Sequence, residues 1–341
     1  MYIILDESIV REQLYPFSAT RHVADMRIGI LTIREKWALL DVNNFIYEND
    51  TTITIPANII PTTTNIHAIF NAVLNSQSLN NEEGIKGFHY PWHIFELNDW
   101  AIRKDFELIT AGRKSQPISS TNKTISPENI FIEEGAKVEF SIINAAAGPV
   151  YIGKNAEVME GCMIRGPFAL CEKAVLKMGS KIYGATTIGP NCVAGGEIKN
   201  SVIFANSNKA HDGYLGDSVI GEWCNLGAGT TNSNLKNNAG LVKVWDNKSR
   251  EYISVGQKCG LLMGDYSRTA INTTINTGTV VGVCCNIFGE GFPPKLVTNF
   301  TWGSEKYSLG KALQDISIWK KLKKSDISTK EKEILKELYN Q

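Results

Sequence analysis

A six-residue period governs the middle of the chain. Ile152, Val158, Ile164, Leu170, Leu176, Ile182 and Ile188 recur at that spacing, and every station is Ile, Leu or Val. Four residues after each comes Ala156, Cys162, Phe168, Ala174, Ser180, Thr186 or Cys192, mostly small. The register resumes at Ile220 and Leu226, and returns at Met263, Ile275, Val281 and Ile287. This spacing suits neither an α-helix nor a simple alternating strand. It suits a coil with flat sides, each side giving one inward aliphatic residue and each corner needing a small or turning one. Three such sides make a coil of about 18 residues, and stacked coils pair by parallel strands around a continuous apolar column.

The period breaks twice. One gap lies between Ile198 and Ile220; the other runs from Thr230 to Met263. Insertions leave a solenoid as surface loops, often at its binding face. The first gap holds His211, the only histidine after His93. A single histidine cannot supply the three ligands of a zinc site, so no metal centre is expected in the solenoid. The seven cysteines include no Cys-x-x-Cys pair and read as reduced, buried thiols of a cytoplasmic protein. Lys plus Arg and Asp plus Glu number 35 each, so no bulk charge draws the chain to nucleic acid or to a membrane. No apolar run is long enough for a membrane span, and "MYIILDESIV" lacks the basic start of a signal peptide.

The stretch "KAHDGYLGDSVIGEWCNLGAGTTNSN" resembles the acetyltransferase domain of the bifunctional enzymes that make UDP-N-acetylglucosamine. The resemblance runs from Lys181 to Asn234. The later "GDYSRTAIN" is similar to the archaeal members, which also carry an extended excursion before it. The whole chain resembles a Bacteroidetes-type sugar-phosphate nucleotidyltransferase–acetyltransferase with a shortened N-terminal domain. The family fold is a left-handed parallel β-helix that trimerises, so the resemblance implies a homotrimer. It also implies acetyl-CoA as co-substrate and a sugar phosphate as acceptor. His211 matches the catalytic base, and an imidazole titrates near neutrality without a large shift. Asn234 matches a residue near the reacting amine and the thioester and is expected to be catalytic with His211. Lys181 and Lys199 match phosphate-binding positions, with Lys181 standing where the family has arginine and so losing the bidentate fork; Lys243, in the archaeal register, stands for a substrate-binding lysine that the bacterial members place slightly earlier. Tyr214 and Asn225 match sugar-holding residues. Ala228, Gly264 and Arg268 are the candidates for contact with acetyl-CoA.

The N-terminal part has no hexads. "YIILD" reads as a buried strand and "GILTIREKWALLD" as an amphipathic helix, the order of an α/β layer. "LYPFSATRHVADMRIGILTIREKW" resembles a segment of sugar nucleotidyltransferases, which implies a reduced nucleotidyltransferase-like Rossmann fold. The glycine-rich loop of that family is missing: the first strand is followed by "DESIVREQL". Phosphate cradling needs close backbone approach, and Asp6 and Glu7 oppose it. Arg21, Asp25 and Arg27 suit either a polar site or structural ion pairs.

The expected organisation is an α/β domain over residues 1–125, a β-helix over 126–298 and a helical extension over 299–341. "SQPISSTNKTISPE" reads as the linker, and "GEGFPPK" as the breaker that ends the coils. Ser328 and Glu331 stand at capping-box spacing. "WKKLKK" is a basic run, read as a solvated helix face or a contact for the phosphates of coenzyme A. The leading function is acetyl-CoA-dependent N-acetylation of a hexosamine 1-phosphate, glucosamine-1-phosphate foremost. The alternatives are sugar-1-phosphate nucleotidyl transfer in the N-terminal domain, with Mg²⁺, and non-catalytic binding of a sugar nucleotide.

Overall fold

The computed structural model describes residues 2–40, 52–77, 79 and 84–341. From Lys123 onward the chain winds as a parallel β-solenoid with three flat faces. The first face has six strands, from Lys123–Ile125 to Tyr214–Gly216, and the second has nine, from Ile130–Ile132 to Leu296–Val297. The third has ten, from Lys137–Val138 to Glu305–Lys306, the last being antiparallel. The strands are two or three residues long because each side of a coil holds one inward station. On the second face those stations stack as Ile132, Ile152, Leu170, Ile188, Ile203 and Ile220. All six are nearly inaccessible. Burying an aliphatic side chain of this size is worth about 1.5–3 kcal/mol, and the column repeats it coil after coil.

The corner between the second and third faces places one residue per coil in the left-handed region. Asn155, Lys173, Asn191 and Asn206 fill it early, and Trp223, Tyr266 and Phe300 late. Bulky residues are costly there. These three have a compensating contact: each packs in a cluster with the C-terminal helices.

Two expected boundaries fall differently. The stretch read as a linker already belongs to the solenoid, since Lys123–Ile125 pairs with Ile142–Asn144 and the Gln116 N–H donates to Ile132 O at 2.9 Å. Its serines and threonines turn a corner that continues into strand. The coils also continue past "GEGFPPK", with Leu296–Val297 on the second face and Thr301–Trp302 on the third. The glycines and prolines there take the place of a first-face strand.

The N-terminal region begins with β1 (Tyr2–Asp6), which pairs in parallel with Thr52–Pro56. Between them lies α1 (Ile33–Leu39), started by a full capping box of Thr32 and Glu35. This β-α-β unit is flanked by α2 (Ile66–Leu74), α3 (His93–Glu96) and α4 (Asn98–Thr110). Its apolar core runs without interruption into the outer side of the second face, through Val202, Phe204, Val219, Leu262 and Val280. Side-chain bonds reinforce the seam: Asn98 Nδ2 donates to Ala185 O at 2.9 Å, and Thr187 Oγ1 to Gly29 O at 2.9 Å.

The second break of the period folds as an antiparallel hairpin, Val242–Asp246 with Glu251–Gly256. Val242, Val244, Ile253 and Val255 join the N-terminal core, so this insertion is a packed element. Helices α5 (Leu309–Leu322) and α6 (Thr329–Asn340) cover the late coils, and α6 opens with the capping box read from Ser328 and Glu331. The early first face carries exposed Ile125, Ile142 and Met163.

Candidate functional site

His211 stands at the corner between the third and first faces, between strand Asn208–Lys209 and strand Tyr214–Gly216, and is exposed. The corner is tightly held. A Cβ on Gly196 would meet His211 O and Asp212 Cα at 2.9 Å, so the preceding coil approaches closely only because it has glycine there. On the other side the Gly229 N–H donates to Asp212 O at 3.1 Å. The same contact places Ala228 one coil along from His211, at the equivalent corner.

Strand register sets the rest of the group. Lys181, Glu197 and Tyr214 are neighbours across three first-face strands, as are Tyr183, Lys199 and Gly216. Lys199 Nζ lies 5.7 Å from the centre of the Tyr183 ring. The Tyr183 hydroxyl donates to the Glu197 carboxylate, which pushes the phenol up to about 12. Asn234 Nδ2 reaches Tyr214 Oη at 3.0 Å and also donates to Asp217. Burial and the Asp217 charge push the Tyr214 phenol well up, so it stays a neutral hydroxyl. Asn200 Nδ2 donates to the other Asp217 oxygen at 2.7 Å.

Next to Asp217 a small cavity of about 330 Å³ opens, lined also by Phe95, Glu96, Asn200, Val255 and Lys258. Burial and the nearby Asp217 raise the Glu96 carboxyl to about 7. Helix α3 of the N-terminal region therefore supplies a wall of this group. Sequence reading missed Asp217, Tyr183 and Glu197 as partners, although all three lie within the stretch that carries the resemblance. Glu96 had no signal at all, because only folding brings it to Asp217.

The arrangement gathers His211, Lys181, Lys199, Tyr214, Asn234 and Ala228 along one corner and the adjoining face. Two lysine ammonium groups suit an anion, and the hydroxyl–amide pair suits a polyol. An imidazole at the exposed edge suits proton transfer.

Other expected residues lie apart. Asn225 is on the third face, beside Asn208 and Arg268. Gly264 is buried at the opposite corner under Pro16, and its N–H already donates to Val281 O at 2.8 Å. The Gly264 N–H is therefore engaged within the solenoid and does not face a thioester. Arg268 is covered by Trp319, 4.9 Å from its guanidinium, and is closed off by α5. Burial lowers its pKa. Lys243 is exposed on the hairpin, opposite Ser254. The basic run at the end of α5 is partly structural: Lys320 pairs with Glu331, and Lys323 Nζ donates to Asn208 Oδ1 at 3.0 Å.

The N-terminal trio divides into separate pairs. Arg21 binds Glu222 and Asp265 of the solenoid, with its guanidinium 5.0 Å from the Phe204 ring centre. Asp25 binds Arg34, and Arg27 binds Ile30 O and Glu35. Of the two open readings, structural ion pairs are the one found. A wide cleft of about 1350 Å³ lies beside Arg21, between residues 7–25, the hairpin tip and α6.

Residues 2–47 match the family model described as sugar nucleotidyl transferase. The bifunctional sugar-1-phosphate nucleotidylyltransferase/acetyltransferase of Sulfurisphaera tokodaii is 33% identical over 209 residues, 58% of this chain and 43% of that protein. The bifunctional protein GlmU of Methanocaldococcus jannaschii is 32% identical over 216 residues, 61% of this chain and 46% of that one. GlmU of Wigglesworthia glossinidia brevipalpis is 27% identical over 214 residues, covering 56% and 44%. This chain thus spans less than half the length of the curated relatives it matches. The solved UDP-N-acetylglucosamine acyltransferase of Francisella novicida aligns at a TM-score of 0.32 and 16% identity, over 65% of this chain and 84% of that one, a likeness too low to argue from.

Proposed function

With its relation to the GlmU-like bifunctional enzymes as the premise, we propose that this chain is an acetyl-CoA-dependent N-acetyltransferase acting on a hexosamine 1-phosphate, glucosamine-1-phosphate foremost. One observation supports the reading: a single corner and its adjoining face gather an exposed imidazole, two lysines and a Tyr214–Asn234 pair. Lys181 and Lys199 hold the phosphate. Tyr214 and Asn234 hold the sugar, and His211 removes the proton from the attacking amine. The Ala228 backbone receives the thioester oxygen. Donors fixed before the reaction stabilise the charge that develops on that oxygen.

Asn225 faces away from this group within one chain. We assign it, with Lys243, to the site of a neighbouring copy in a homotrimer. The exposed apolar side chains of the first face suit such a contact. All seven cysteines are free and buried, which fits work in the cytoplasm.

The test is acetyl transfer from acetyl-CoA to glucosamine 1-phosphate by the purified protein, with His211→Ala as control. Loss of a positioned base costs about 10²–10⁴-fold. Wild-type activity no greater than that of His211→Ala would refute the assignment.

Nucleotidyl transfer has the family match to residues 2–47 in its favour. Against it stand the absent glycine-rich loop and an arginine bound to two solenoid carboxylates. Calorimetry with UTP and dTTP in Mg²⁺ decides; binding that survives His211→Ala supports that second activity.

A further inference from the structure

Inward stations on the third face stack as Val138, Val158, Leu176, Ala194, Lys209, Leu226, Thr269 and Ile287. Lys209 is the only charged residue in that column. It is 2% exposed and sits on the coil that carries His211. Among the described residues its amine has no carboxylate within ion-pair distance. It donates instead to two backbone carbonyls, Gly195 O at 3.0 Å and His211 O.

The neighbouring corners show what the amine replaces. Where the third face turns to the first, corners 159–162, 177–180 and 210–213 are four residues long. In regular corners the last residue donates to the carbonyl of a corner's first residue, in its own turn or in the corner of the next coil. Ser180 Oγ and Cys162 Sγ both donate to Lys177 O, and Thr273 Oγ1 donates to Ala270 O at 2.8 Å. The corner beneath His211 is cut to Gly195-Gly196 and lacks that residue. The His211 corner ends in Gly213, which has no side chain; a Cβ there would meet Thr230 O at 2.2 Å. Two adjacent corners therefore lack their hydroxyl plug. Lys209, next to Ala194 in the column, brings its amine to the carbonyls of both corners.

We infer that Lys209 is a positioning residue for His211. Its amine, inside the solenoid, takes the place of the missing hydroxyls and ties the backbone of the His211 corner to the corner beneath it. Burial pushes the amine down to about 8, with Asp212 opposing, so both protonation states are accessible and both can donate. An apolar residue would fit the column better than lysine, which argues that stability alone does not account for it. The catalytic part of this inference rests on the proposed role of His211.

The experiment uses hydrogen–deuterium exchange of the full chain, followed in peptides spanning 208–214, for Lys209→Met, Lys209→Gln and a column control, Leu226→Met. Exchange at Ala210–Gly213 is expected to rise about tenfold or more in Lys209→Met, less in Lys209→Gln, which keeps a donor, and not at all in the control. In the acetylation assay, kcat of Lys209→Met is expected to fall about a hundredfold, the cost of a misplaced group, with the acceptor KM little changed. Unchanged exchange overturns the inference, and so does faster exchange with intact kcat. If the wild type transfers no acetyl group, the reading of function fails, and the exchange result decides the tie by itself.

Discussion

Replacing Arg21 by methionine tests whether the N-terminal region is fastened to the solenoid or holds a ligand there. The Arg21 side chain is 10% exposed and that of Asp265 is 4% exposed. Asp265 also accepts from the Thr20 hydroxyl and from the Glu222 N–H, the latter at 2.8 Å. Methionine fills the space over Phe204 but leaves a buried carboxylate without its counter-charge. Breaking one side of such a pair costs about 3–5 kcal/mol. Glu222 is a third exposed, so its share is at most about 1 kcal/mol. The expected loss is therefore set by Asp265. Denaturant unfolding measures it, and the double variant Arg21→Met/Asp265→Asn supplies the internal check. Asparagine removes the charge, keeps Oδ1 as acceptor for the Glu222 N–H, and turns its amide N–H to the Thr20 hydroxyl oxygen, so the double variant is expected to recover about 2 kcal/mol or more relative to additivity. A loss under about 1 kcal/mol in Arg21→Met, or a nucleoside triphosphate that stabilises the wild type but not the variant, would refute the reasoning. Arg21 would then serve a ligand.

Two other expectations follow from the same geometry. Gly213 has φ +120, and a Cβ there would strike the next coil, so Gly213→Ala is expected to cost about 2 kcal/mol or more; it should lower acetyl transfer further than the stability loss explains, as kcat measured well below the melting temperature will show. Despite burial that opposes it, bonds from Lys320, Ser328 and Tyr266 hold the Glu331 carboxyl down to about 2 against an ordinary 4.5. A depressed carboxylate stabilises the fold above its unfolded pKa and loses that contribution as pH falls through the folded one. The contact of α6 with the solenoid is thus expected to weaken between about pH 4.5 and pH 2, followed by tryptophan fluorescence, and Glu331→Gln is expected to flatten that part of the curve.

The solenoid was legible because each inward station repeats at a fixed spacing, and a period can be read without any contact being known. The His211 corner was legible as a break in that period. The reach of the solenoid was not. Residues 115–128 have the composition of a linker, yet they form a corner and strand because corners of this fold use the same serines, threonines and asparagines that loops use. The fate of Arg21, Arg268 and Gly264 was hidden for a related reason. A resemblance assigns roles by position along the chain, while exposure depends on what packs above the position. Pro16 covers Gly264 and Trp319 covers Arg268; neither neighbour is near in sequence.

These placements divide the outer surface of the solenoid into faces with different uses. The N-terminal region takes the second face and the C-terminal helices take the late third face, each burying bulky or charged residues that would otherwise be strained or unpaired. The first face and its corner with the third are left, and there the coils depart from regularity: Gly195-Gly196 is shortened, Gly213 has no side chain, and Lys209 occupies an apolar station. A solenoid built only for stability would fill all three positions as its other coils do. Their joint departure at the corner of His211 is a physical argument for a site there, independent of any resemblance, because each irregularity costs stability and all three converge on the same few backbone atoms.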